Sequence, residues 1–178
     1  MTEQIIFAGF GGQGVLSMGM LLTYAGMLEG KNVTWLPSYG PEMRGGTANC
    51  NVILSDDIIG SPIITSATAA VVMNRPSLDK FENKVEKGGL LLINSSLIQD
   101  KSKRTDIGVV YVHANEIATE LENEKVANMV MLGAYLAKAG IMDPERILEA
   151  LPKVLGESKA KFIPMNREAL ARGAKAVS

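Results

Sequence analysis

Short apolar runs recur along this chain, and most are separated by stretches with helical spacing. The first, Ile5-Ile6-Phe7-Ala8, enters a glycine-rich turn, and the apolar residues that follow predict a helix over 15–29, stopped by Gly30. Asn32-Val33-Thr34-Trp35-Leu36 reads as a second strand and Cys50-Asn51-Val52-Ile53-Leu54 as a third, closed by an Asp56-Asp57 turn. Ala69-Ala70-Val71-Val72-Met73 is a further strand, ending at Asn74-Arg75-Pro76; a short helix is expected from Ser77 or Asp79 through Val85. Gly88-Gly89 turns the chain into Leu90-Leu91-Leu92-Ile93, and Val109-Val110-Tyr111-Val112 follows. Runs apolar on both faces suit central parallel strands. Strands alternating with helices predict an α/β fold, a three-layer Rossmann-like domain with a mostly parallel sheet, in which residues 1–178 form one domain.

The C-terminal third reads as helical. Residues 126–139 are apolar nearly all round, so that helix is expected in the core or against another chain. Asp143 as N-cap and Pro144 in the first turn start a helix to about Leu155, and an amphipathic helix runs from Met165 or Asn166 to about Lys175. Asn115 is expected to cap a helix after the last strand.

Composition narrows the function classes. A 47% apolar and 21% charged chain is globular, and a net charge of −1 without a basic face argues against nucleic acid. The chain begins without a basic region and apolar signal segment, which predicts a cytoplasmic protein. The uncharged stretches 4–28 and 58–74 are broken by Gly, Ser, Thr, Gln or Pro, and fit burial by neighbours better than lipid, so no membrane association is expected. One cysteine, Cys50, cannot form a disulfide framework or hold an iron–sulfur cluster by four thiolates. One histidine, His113, excludes zinc sites needing two or more; as a lone His at a strand end it reads as structural.

Two segments carry the candidate chemistry. Gly9-Phe10-Gly11-Gly12-Gln13-Gly14 fits a strand–turn–helix whose backbone N–H groups can meet an anion. A dinucleotide fingerprint also needs an acid at the end of the second strand, yet no Asp or Glu lies between Gly30 and Pro41. On the residues alone the turn serves close packing, a bound group, with a nicotinamide or flavin dinucleotide the least favoured, or a partner chain. The second segment is the loop over 38–49, whose length and lack of periodicity mark it as functional or flexible. It contains Tyr39, Glu42, Arg44, Gly45 and Gly46. Arg44 beside two glycines is either an anion clamp or the partner of Glu42 in holding the loop. In an open α/β sheet both segments fall at the carboxyl ends of the strands, with Asn74-Arg75, Asn94-Ser95-Ser96 and His113-Ala114-Asn115.

Taken together, Gly9-Phe10-Gly11-Gly12-Gln13-Gly14-Val15 and Ser38-Tyr39-Gly40-Pro41-Glu42-Met43-Arg44-Gly45-Gly46 resemble the gamma subunit of 2-oxoacid:ferredoxin (or acceptor) oxidoreductases, over essentially the whole chain. The separate short chain is most similar to the 2-oxoglutarate or branched-chain (2-ketoisovalerate) type; pyruvate and indolepyruvate enzymes have related subunits. The resemblance implies an enzyme complex that oxidatively decarboxylates a 2-oxoacid, joins the acyl group to coenzyme A and passes electrons to ferredoxin. Thiamine diphosphate with Mg and iron–sulfur clusters do that chemistry, held mainly by other subunits, so this chain is expected to bind none alone and to contribute no catalytic residue. Its implied partners are the alpha, beta and delta subunits and, through the complex, ferredoxin or another acceptor. By the same resemblance, Gly9, Gly11, Gly12, Gln13, Gly14, Tyr39, Glu42, Arg44, Gly45 and Gly46 are expected to line the coenzyme A region or a subunit interface. The apolar helix and exposed loops also make self-association plausible in the isolated chain.

Overall fold

The structure is a computed structural model and describes residues 1–38 and 48–178. Its elements are β1 (Thr2–Gly9), α1 (Val15–Leu28), β2 (Asn32–Ser38), β3 (Ala48–Ser55), β4 (Ala67–Val72), α2 (Arg75–Phe81), β5 (Val85–Asn94), β6 (Gly108–Val112), α3 (Ala114–Glu120), α4 (Ala127–Ala139), α5 (Pro144–Leu155) and α6 (Ile163–Lys175). The strands form one sheet in the order β2-β3-β1-β4-β5-β6. β1, β4, β5 and β6 are mutually parallel, whereas β3 is antiparallel to both β1 and β2. β2 therefore points the same way as β1, and β3 alone runs against the rest. Residues 39–47 are too few for the crossover of roughly a dozen that parallel neighbours require, so the chain folds back beside β2.

Period-two alternation sends the two faces of β1 into different layers. Ile5 and Phe7 join a core with α1, α4, α5 and α6; Ile6 and Ala8 face Leu78 and Phe81 of α2. The apolar helix α4 lies in the first of these cores, and its Tyr135 ring meets Phe7 edge-on at 6.2 Å. Its cover thus comes from within the chain. α4 crosses α6 at Gly133 and Gly173: a Cβ at Gly133 would stand 2.7 Å from the Leu170 carbonyl carbon, and one at Gly173 2.8 Å from that of Val130. Only bare backbone allows this approach.

Several helix starts differ from expectation, and each difference has a local cause. α2 begins at Arg75 because Asn74, not Ser77 or Asp79, is the cap; its side chain accepts from the Ser77 N–H at 2.9 Å, and Pro76 sits in the first turn. Asn115 is not an N-cap. That position belongs to His113, and the free N–H groups of Asn115 and Glu116 donate to Ser96 Oγ from the preceding connection, at 3.1 and 3.4 Å. Asp143 does cap α5, accepting from the Glu145 N–H at 2.9 Å. Cys50 is buried, and its thiol donates to the Val15 carbonyl at 3.5 Å. Burial pushes that thiol up to about 12, with the Trp35 side chain and the Gly19 backbone acting weakly the other way. Among the described residues no helix is long and apolar enough to cross a membrane.

Candidate functional site

β1 delivers the chain to Gly9 at the carboxyl edge, and α1 carries it away from Gly14. Gly9 is crowded: a Cβ there would lie 2.9 Å from both Met73 Cβ and Val15 Cγ1. Gly12 and Gly14 have φ of 89° and 74°, left-handed values that favour glycine. Between them Gln13 fastens the turn to the sheet. Its Oε1 accepts from the Phe10 N–H at 2.6 Å, and its Nε2 donates to the Met73 carbonyl, just past β4, at 3.3 Å. The carboxamide thus bridges the ends of β1 and β4. Chain connections diverge to opposite sides there, the place where open α/β sheets hold ligands.

Among the described residues, nothing meets the start of α1. It has no side-chain cap and no acid in its first turn, and its first internal bond is from the Met18 N–H to the Gly14 carbonyl, at 3.0 Å. The N–H groups of Val15, Leu16 and Ser17 therefore have no partner within the helix, and the helix dipole adds positive potential. A cavity of about 330 Å³ opens on this turn, bordered by Phe10, Gly11, Gly12, Leu16, Ser17 and Ala48. A smaller one of about 200 Å³ lies on the other flank, between Gln13, Met73, Asn115, Lys125 and Asn128. The backbone donors of the first cavity suit an anion such as phosphate, whereas Lys125 lines only the second, beside Glu124.

The glycine turn and the second predicted segment share this edge. Gly9 pairs with Ala48, and Ser38 with Asn49, so both ends of the 39–47 connection stand beside the turn. Tyr39, Glu42, Arg44, Gly45 and Gly46 lie outside the described residues. Asn74, Asn94 and His113 also fall at this edge, as expected. Asn94 donates to Asn115 Oδ1 at 2.7 Å, joining the β5 and β6 ends. His113 is exposed, with its Nδ1 3.3 Å from both Ser95 Oγ and Glu116 Oε2, a surface cluster that fits the structural reading.

Asn128 escaped sequence reasoning. Its side chain reaches from α4 to Gly14, donating to that carbonyl at 3.4 Å, and a Cβ on Gly14 would collide with its carboxamide. The available signal was an asparagine standing among the apolar residues of that helix. The sheet order was equally hidden, and it sharpens the argument against a dinucleotide. With β3 between β1 and β2, the end of β2 lies two strand spacings, about 10 Å, from β1. Its described residues carry no acid to hold a ribose. Among the described residues, no group of three or more His, Cys, Asp or Glu side chains gathers to hold a metal.

Comparison with known proteins agrees with this architecture. The family model described as pyruvate ferredoxin/flavodoxin oxidoreductase matches residues 4–176. The ketoisovalerate oxidoreductase subunit VorA of Methanothermobacter marburgensis is 40% identical over 96% of this chain, which spans only 36% of that relative's length. The 2-oxoglutarate synthase subunit KorC of Methanocaldococcus jannaschii is 33% identical over 86% of each chain. Among solved structures, the gamma subunit of the keto/oxoacid ferredoxin oxidoreductase of Geobacter sulfurreducens PCA superposes with a TM-score of 0.82, at 29% identity over 98% of both chains.

Proposed function

This chain belongs to the pyruvate ferredoxin/flavodoxin oxidoreductase family, and from that premise we propose that it serves as the gamma-type subunit of a 2-oxoacid:ferredoxin oxidoreductase. The complex would decarboxylate a 2-oxoacid oxidatively and form its acyl-CoA. Thiamine diphosphate with Mg and the iron–sulfur clusters would sit on the alpha, beta and delta subunits. The chemistry of this chain supports that division, since its one cysteine is buried beside Val15 and cannot ligate a cluster. We assign 2-oxoglutarate as the first candidate substrate. A relative named for that acid matches along most of its own length, whereas the more identical ketoisovalerate relative matches over about a third.

The observation that supports this role is the start of α1, which no side chain among the described residues caps, facing a cavity on the edge from which the 39–47 connection springs. Phosphate oxygens of coenzyme A would accept from the N–H groups of Val15, Leu16 and Ser17. Gln13 would hold the turn rigid, and Arg44 would close on the anion from the neighbouring segment. Exposed Phe10, at 40% of its full area, supports a second reading in which the turn touches a partner subunit only.

The test is to purify the complex through a tag on this chain, identify its subunits and cofactors, and screen 2-oxoacids. Recovery of larger subunits with thiamine diphosphate and iron–sulfur supports the family role; recovery of the chain alone counts against it. Ser17→Glu puts a carboxylate in the first turn of α1 and should weaken coenzyme A binding in the assembled complex. A lower yield of complex, with an unchanged coenzyme A constant in what does assemble, would instead favour the protein-contact reading.

A further inference from the structure

The sheet edge opposite the glycine turn carries a cavity of about 390 Å³, whose lining includes Glu3 on β1, Thr68 on β4, Glu86 on β5, and Tyr135, Lys138 and Ala139 on α4. Tyr135 is fully buried, yet among the described residues its hydroxyl has no hydrogen-bond partner. Leaving a buried hydroxyl unpaired is unfavourable, so its place on a cavity wall calls for an occupant. The neighbouring groups define that occupant's charge. Glu3 Oε2 is fixed by the Thr68 hydroxyl at 2.7 Å, and that hydroxyl in turn accepts from the Gln4 N–H at 2.9 Å. A carboxylate positioned in this way keeps its other oxygen for something else. Tyr135 and Glu3 line the same cavity, and burial first, then the charge of Glu3, push the Tyr135 phenol well above its ordinary pKa. Glu86 adds a second carboxylate. The C-terminal end of α4, at Ala139, adds the negative pole of a helix dipole. Lys138 stands exposed, the one opposing charge in this lining among the described residues.

We infer that this cavity is a binding site for an organic cation, a primary ammonium or guanidinium group, held by Glu3, Glu86 and the Tyr135 hydroxyl. A head group with several N–H donors can bond the free oxygen of Glu3 and the phenolic oxygen together, and its charge offsets both carboxylates. The inference rests on this geometry and not on the oxidoreductase reading. The cation is either a free solute or the side chain of a lysine or arginine on a partner subunit.

Calorimetric titration of the full chain with propylammonium and propylguanidinium chloride tests it, with propanol and propionate as controls. Saturable binding of the two cations and of neither control is expected. Glu3→Gln should weaken it about tenfold or more, as loss of a hydrogen bond to a charged group does. Tyr135→Phe keeps the ring and its packing, and should weaken binding several-fold. Lys138→Gln should strengthen it, an effect opposite in sign to any general damage to the fold. No saturable binding, equal binding of propionate, or binding indifferent to both Glu3→Gln and Lys138→Gln overturns the inference. The same titration on the tagged, assembled complex separates the sources. Retained uptake of propylguanidinium identifies a free solute, whereas lost uptake with a lower yield of complex for Glu3→Gln identifies a partner's side chain.

Discussion

Glycines do different work at two places in this molecule. Where α4 crosses α6, Gly133 and Gly173 each face carbonyl groups of the opposing helix, and any side chain would strike backbone that cannot step aside. In the turn after β1, Gly12 has nothing among the described residues within 4 Å of where a Cβ would stand, yet its φ is 89°. The first pair is needed for space and the second residue for conformation. A glycine required for space marks an interior contact. One required for conformation, with open surroundings, leaves bare amide groups accessible to a ligand. Gly14 stands between the two, with a φ of 74° and the Asn128 carboxamide against it.

Substitutions can break this contrast, beginning at the crossing. Gly133→Ala should destabilise the fold by about 3 kcal/mol or more, because the new methyl can only be accommodated by moving a helix. Denaturant titration measures it, and a loss below about 1 kcal/mol would mean that the crossing tolerates separation. Gly14→Ala should cost about 2 kcal/mol in left-handed strain and contact with Asn128. Adding Asn128→Ala should recover the contact portion and leave the strain, as a double-mutant cycle would resolve. Gln13→Ala removes both ties between the turn and the sheet, a loss of about 1.5 kcal/mol. If the turn positions coenzyme A, the same change should weaken coenzyme A binding in the assembled complex by more than it weakens the fold. Gly12→Ala should cost about 1 kcal/mol through strain alone. A larger cost would mean that space matters there as well.

The smallest effect concerns Cys50, whose Sγ a Cβ on Gly19 would strike, so that glycine belongs with the crossing and not with the turn. The folded chain keeps the Cys50 thiol neutral up to about 12, while the unfolded chain ionises it above its ordinary value of 9.0. The raised value means that stability is fully present below 9.0 and falls as pH rises past it. Half a unit above that value the loss is about 0.8 kcal/mol, and Cys50→Ala should abolish this pH dependence in thermal unfolding.

The strands and long helices were legible because their signals are local: paired-face apolar runs for β4, β5 and β6, and Asp143-Pro144 for α5. The carboxyl-edge loops were legible for the same reason, since strand direction follows once strands alternate with helices. What stayed hidden depends on residues distant in sequence. Asn115 carries the residue type of a cap, but Ser96 arrives from another connection to satisfy that helix end. The Asn128 contact with Gly14 spans 114 positions. The reversal of β3 was hidden as well, because a strand buried on both faces looks alike in either direction. Residues 39–47 are strongly suggestive in sequence, and their side chains fall outside the described residues.

That reversal has a consequence for how the site can vary. Because β2 and β3 form neighbouring rungs, the entry and exit of the 39–47 connection are held at fixed positions by Ser38 opposite Asn49 and Gly9 opposite Ala48. A helical crossover changed in length would displace a layer of the core. Here residues can be inserted or removed between two clamped ends without shifting the register of any strand. The sheet thus acts as a socket into which segments of different length and composition can be fitted, while the glycine turn beside it stays the same.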